Sequence, residues 1–252
     1  MKLLRPALAL RAYDLAHGAL ETSWVAENEA YVRDRILARA HADLEEAAIE
    51  ADAKRALRRA LGRHENLLSG YEHARARAWI KHNSEDDVRE LLTDLLYGSN
   101  PLFERAERFL LAGEAVDLGN NHTASINETV TSYLLAMAHP DLYAFAKPES
   151  AFQPAYRLLA SSDGTRFPTG PERLVSVTSF YESLRELWGE ERGFDGDLLD
   201  VHSHLFLLGS GGVRAFLMGA RGQRRGSHLL CRAERGGRAV ARSLRARWRA
   251  DA

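Results

Sequence analysis

From Ser23 to Leu61 the chain contains neither glycine nor proline. Ala, Glu, Arg and Leu dominate this stretch, and these are the residues that lose least on entering a helix. The pattern predicts one long N-terminal helical arm within residues 1–61, with Gly62 as its C-terminal cap. The same punctuation continues downstream. A helix is predicted over about His64–His82. Ser84 reads as the N-cap of the next, with Glu85, Asp86 and Asp87 in the first turn where the helix dipole favours acids. Val88, Leu91, Leu92, Leu95 and Leu96 recur at helical spacing before Gly98 ends the run. Asn100 with Pro101 opens another helix and Gly113 closes it. "ASINETVTSYLLAMAH", "ESAFQPAYRLLA", "GPERLVSVTSFYESLRELWG" and about Gly196–Leu208 complete the set. Val175–Thr178 holds some β-branched residues, but Asn-Gly hairpin signals are absent. The expected class is all-α, with a compact helical domain over 62–208.

Charge divides the chain. Residues 211–252 hold eleven Arg, no Lys and two acids (Glu234, Asp251), about +9 in all. The preceding residues hold 23 basic and 33 acidic side chains, about −10. Only Lys2, Lys54, Lys81 and Lys147 are lysines, an Arg bias read as codon composition. The Gly/Arg-rich segment 209–252 admits three readings: a basic arm for nucleic acid or an acidic partner, a solvated tail, or a frameshifted terminus.

Cys231 is the single cysteine, which excludes an internal disulfide framework and suits a reducing cytosol. Arg5 and Pro6 interrupt the apolar start, and no window approaches the roughly 20 apolar residues of a membrane span. The expectation is a cytoplasmic protein with no membrane partner, in which the sequons at Asn121 and Asn127 carry no weight.

Catalytic signatures are missing from the sequence. It has no G-x-x-x-x-G-K-[ST] loop, no G-x-G-x-x-G and no H-E-x-x-H. No cofactor and no metal are therefore expected. His202 and His204 stand at i and i+2, about 200° apart on a helix. They read as partly exposed histidines near a helix end, and not as metal ligands. Glu45-Glu46 and Glu190-Glu191 read as solvated carboxylates. His139-Pro140-Asp141 matches the loop tripeptide of J-domain co-chaperones, yet those domains need a basic helix before it. Tyr133–Ala138 contains no Lys or Arg. His139 reads as a helix end forced by the following proline.

Three stretches carry a family likeness: "NLLSGYEHARARAWIKHNSEDDVRELLTDLLYGSNPLFERAERFL", "TVTSYLLAMAHPDLYAFAKPESAFQPAYRLL" and "GFDGDLLDVHSHLFLL". Together they resemble the helical region ahead of the AAA+ module in McrB-type restriction GTPases or ATPases, over about residues 20–208. The likeness implies phage defence, recognition of DNA, and a restriction-system ATPase or nuclease subunit as partner. The AAA+ module itself does not follow in this sequence.

The connector between two helices then has two readings. In one, Tyr143, Phe145 and Phe152 staple it to the core while Pro140 and Pro148 stiffen it. In the other, Tyr143, Lys147, Tyr156, Arg157 and Arg166 line a groove for modified duplex DNA, with rings stacking on a base and cations meeting phosphate. The function expected from the likeness is a non-catalytic DNA-recognition module. The alternative is a helical protein-interaction scaffold that binds no DNA, docking through its long N-terminal helix.

Overall fold

The computed structural model describes residues 4–20, 32–62, 67–119, 123–147, 152–160 and 168–208. All of them lie in one compact unit, Met1–Ser210. The segment 209–252 and Arg166 lie outside the described residues. The fold is all-α. Its helices are α1 (Pro6–Leu20), α2 (Ala38–Leu44), α3 (Glu46–Leu61), α4 (Gly70–His82), α5 (Glu85–Tyr97), α6 (Leu102–Ala112), α7 (Glu128–Ala138), α8 (Gln153–Leu159), α9 (Gly170–Arg192) and α10 (Leu198–Leu207). A π-helical turn, Val32–Leu37, precedes α2, and a two-stranded antiparallel ribbon pairs β1 (Val116–Asp117) with β2 (Thr123–Ala124).

Helix α7 is the axis of the molecule. Every residue from Thr129 to Ala138 is buried, as expected of a helix that is apolar all round. Helices α2, α4, α5, α6 and α9 pack around it. Two of its hydroxyls are satisfied locally: Thr131 donates to the Asn127 carbonyl and Ser132 to that of Thr129. Its N-cap is Asn127, whose side chain accepts from the Val130 amide.

The predicted arm is not one helix. Chain direction changes at Glu45 (φ −57°, ψ 143°), so that α2 folds back on α3 and both turn Leu44, Ile49, Ala53 and Leu57 into the common core. A second break lies inside α3, at Asp52 (φ −164°, ψ 88°). Helix propensity cannot report it, because its support is tertiary. The Glu85 carboxylate accepts from the Ala53 amide at 2.5 Å and from that of Lys54 at 3.4 Å. Asp52 itself caps the Arg55 amide at 2.9 Å, and Lys54 Nζ donates to the Asn83 carbonyl. The amides released by the kink are thereby covered. Buried residues between Ile36 and Leu61 therefore share one core with those of α4–α7.

Two further boundaries differ from expectation. Helix α4 begins at Gly70 because Ser69 and Glu72 form a reciprocal capping box. Helix α6 has Pro101 at its N-cap, and the Asn100 carbonyl serves Arg105 instead.

One device recurs at the other helix ends. Orphan carbonyls in the last turns are met by side chains from distant elements. Tyr97 donates to the Leu44 carbonyl of α2 (2.7 Å), Tyr133 to Ala60 of α3 (3.0 Å) and Trp79 to Ala112 of α6 (2.8 Å). Arg105 meets Leu95, and the His139 ring meets Leu96 at 3.0 Å, both at the end of α5. Each ring adds apolar area to the core while its polar tip fixes a helix end.

Candidate functional site

His139 ends α7, residues 140–142 form a turn closed on the His139 carbonyl, and residues 143–147 continue without regular structure beside the middle of α9 and the start of α10. The backbone of this connector is tied on three sides. Ala146 N donates to Ser132 Oγ of α7 (3.1 Å) and Ala144 N to Thr178 Oγ1 of α9 (3.4 Å). The Pro140 carbonyl accepts from Leu198 N at the start of α10, and the Asp141 carbonyl accepts from Arg185 of α9.

Its side chains turn inward. Phe145 is fully buried, edge-on to Tyr133 at 6.2 Å and 4.9 Å from the His202 ring. Burial of a side chain this size contributes about 2–3 kcal/mol. Tyr143 is half-buried, with its ring edge-on to His139 and its hydroxyl accepting from Arg105 Nη2 at 2.7 Å. The Arg105 guanidinium also lies 5.6 Å from the centre of that ring.

Lys147 is half-buried, and burial holds its ammonium below the usual lysine range, partly offset by Glu72. Tyr156 packs its ring on Phe152 (5.2 Å) and Phe180 (5.3 Å). Arg157 is exposed on α8. The four described members of the expected DNA groove thus have different surroundings: α6 for Tyr143, Glu72 for Lys147, α9 for Tyr156, solvent for Arg157. Arg166 and Pro148 lie outside the described residues.

The histidine pair corrects the expectation of partial exposure. His202 is 6% and His204 5% exposed, because the opposite faces on which i and i+2 fall are both covered here. The Tyr181 hydroxyl and His202 Nδ1 share a hydrogen bond of 3.2 Å, and the ring hydrogen-bonds the Phe145 backbone. Burial, with Lys147 adding to it, pushes His202 down to about 4, and burial pushes the Tyr181 phenol up. His202 therefore joins α10, α9 and the connector as a neutral ring. Among the described residues no three His, Cys, Asp or Glu side chains are grouped so as to hold a metal ion. None of the described helices is long and apolar enough to cross a membrane.

Arg105 is a member of this site that sequence patterning did not single out, although a signal existed. It stands four residues before Phe109 on the buried stripe of α6, a cation at an apolar position. No family model, curated protein or solved structure matches the chain.

Proposed function

We propose that the chain is a non-catalytic accessory module of a McrB-type restriction system, working as a helical interaction scaffold for an ATPase or nuclease subunit. The family side of the reading rests on the likeness of residues 20–208, and the non-catalytic side on the sequence's lack of a P-loop. The observation that favours a scaffold is the inward engagement of the connector: the Tyr143 hydroxyl is taken by Arg105 and the Tyr156 ring by Phe152 and Phe180. Rings used this way brace helices and are not presented as stacking platforms. The acidic balance of residues 1–210 also opposes phosphate binding.

DNA recognition is the second reading, favoured by the exposure of Arg157. The two separate in an anisotropy titration of the full chain against methylated and unmethylated duplexes, alongside Lys147→Ala and Arg157→Ala. A scaffold gives no binding beyond the weak, equal attraction of the Arg-rich segment 211–252 for both duplexes, unchanged by either substitution. A DNA-facing groove gives weaker binding in the variants and a log–log salt slope lower by roughly one for each phosphate no longer neutralised. That second outcome overturns the scaffold reading.

A further inference from the structure

Helix α1 is tied to α8 and α9 by polar contacts. Arg5 N donates to the Leu159 carbonyl (2.7 Å), Trp188 Nε1 of α9 donates to the Ala9 carbonyl (3.0 Å), and Arg192 forks onto Asp14 (2.7 and 3.2 Å). Its buried face is Ala9, Ala12, Tyr13 and Ala16. Against that face lies a pile of nearly parallel rings. Tyr13 is 5.1 Å from His17 (15°) and 5.3 Å from His204 (7°), and the two imidazoles are 6.0 Å apart (10°). Trp188 and Phe194 close the box around His204 at 5.5 and 5.4 Å.

The protonation state of His204 follows from its contacts. Nδ1 lies 2.8 Å from the Asp200 carbonyl, which can only accept, so Nδ1 carries the hydrogen. Nε2 is then the basic atom. It is buried and has no hydrogen-bond partner among the described residues. A proton there would place a cation among Tyr13, Trp188 and Phe194 with no acceptor facing it, beside a second imidazole.

We propose that α1 is held by a histidine latch that opens on acidification, when His204 takes up a proton and the ring pile with Tyr13 and His17 comes apart. The sign agrees. Burial, with His17 adding to it, holds docked His204 below the usual histidine value, partly offset by the Asp200 backbone. A released His204 returns to about 6.5. Docking is thus unaffected above about pH 6.5 and weakens as pH falls below it. For one group that stays neutral when docked, the docking constant drops by up to about 25-fold between pH 7 and 5.

The charged groups around the box do not supply this response. From α1, Asp14 is held below the usual carboxylate range by Arg192 of α9, so it stays ionised across the window. Asp195 faces Tyr13 from the segment before α10. On α10 itself, burial and then Asp197 push the Asp200 carboxyl up, but its partner is Arg33. Its protonation would loosen the Val32–Leu37 turn and not α1.

Hydrogen exchange of the full chain, corrected for intrinsic rates, reads the latch directly at pH 7, 6 and 5. Peptides covering residues 6–17 are expected to lose about 25-fold in protection at pH 5 through local release of α1. His204→Phe keeps the aromatic stack and cannot charge, so its α1 protection stays flat with pH. Equal loss in His204→Phe, or no loss in the native chain, overturns the proposal. Should that variant fail to fold, the His204 titration followed by NMR in the native protein decides alone, and an ordinary value overturns it.

Discussion

Arg105 is 5% exposed, and each of its three guanidinium nitrogens donates a hydrogen bond. Nε donates to the Asn100 carbonyl (2.8 Å), Nη1 to Leu95 and Nη2 to the Tyr143 hydroxyl (2.7 Å). Three elements meet on one side chain: the end of α5, the turn before α6, and the connector. Arg105→Met keeps much of the stem's packing but leaves those oxygens unmet. A buried polar group without a partner costs about 1–3 kcal/mol, so a loss of about 3 kcal/mol is expected in urea unfolding. A loss below 1 kcal/mol would mean that water reaches the freed carbonyls. Tyr143→Phe removes one bond only, and about 1 kcal/mol with unchanged duplex affinity is expected. The staple role of Tyr143 and Phe145 is readable from apolar residues placed between prolines. The connector's partners are not, because Arg105 stands 38 residues from Tyr143 and Thr178 stands 34 residues from Ala144, the positions they serve.

At the scale of elements, what sequence can convey is what is local. Ser84 caps α5, Gly98 and Gly113 end α5 and α6, and His139 ends α7, all set within four residues of sequence. The Ser69–Glu72 box is equally local, and it overrides the start at His64 that composition suggests. The kink in α3 belongs to another kind, since Glu85 covers amides 31 and 32 residues earlier. By position Glu85 serves its own helix dipole, and its carboxylate in fact turns to a neighbour. Glu85→Ala is expected to cost about 1–2 kcal/mol, as loss of a helix cap does. Asp86, one residue on, has a side chain 92% exposed, and Asp86→Ala should stay within about 0.5 kcal/mol. Equal costs for the two, measured by urea unfolding, would show that first-turn charge and not the kink is what Glu85 supports.

For the whole molecule, the group that couples most of the fold to pH is His202. Its ring touches the connector through Phe145 and α9 through Tyr181, so charging it must disturb the packing that joins α7, α9 and α10. The docked value near 4 lies below the roughly 6.5 of an unfolded histidine. A base that binds its proton more weakly when folded costs no stability above the unfolded value. Below it the unfolded chain takes up the proton first, so stability falls as pH drops from about 6.5 to about 4 and levels off beneath. The span corresponds to about 3 kcal/mol for global unfolding. This differs from the α1 latch, which opens by local release of α1 and does not require the core to unfold. Urea midpoints between pH 7.5 and 4 should therefore decline in the native chain. In His202→Gln, whose baseline is lowered because the Tyr181 hydroxyl no longer meets an imidazole, the decline should be shallower by that amount. A parallel decline in the two proteins would assign the acid sensitivity to other groups, His204 or the carboxylates.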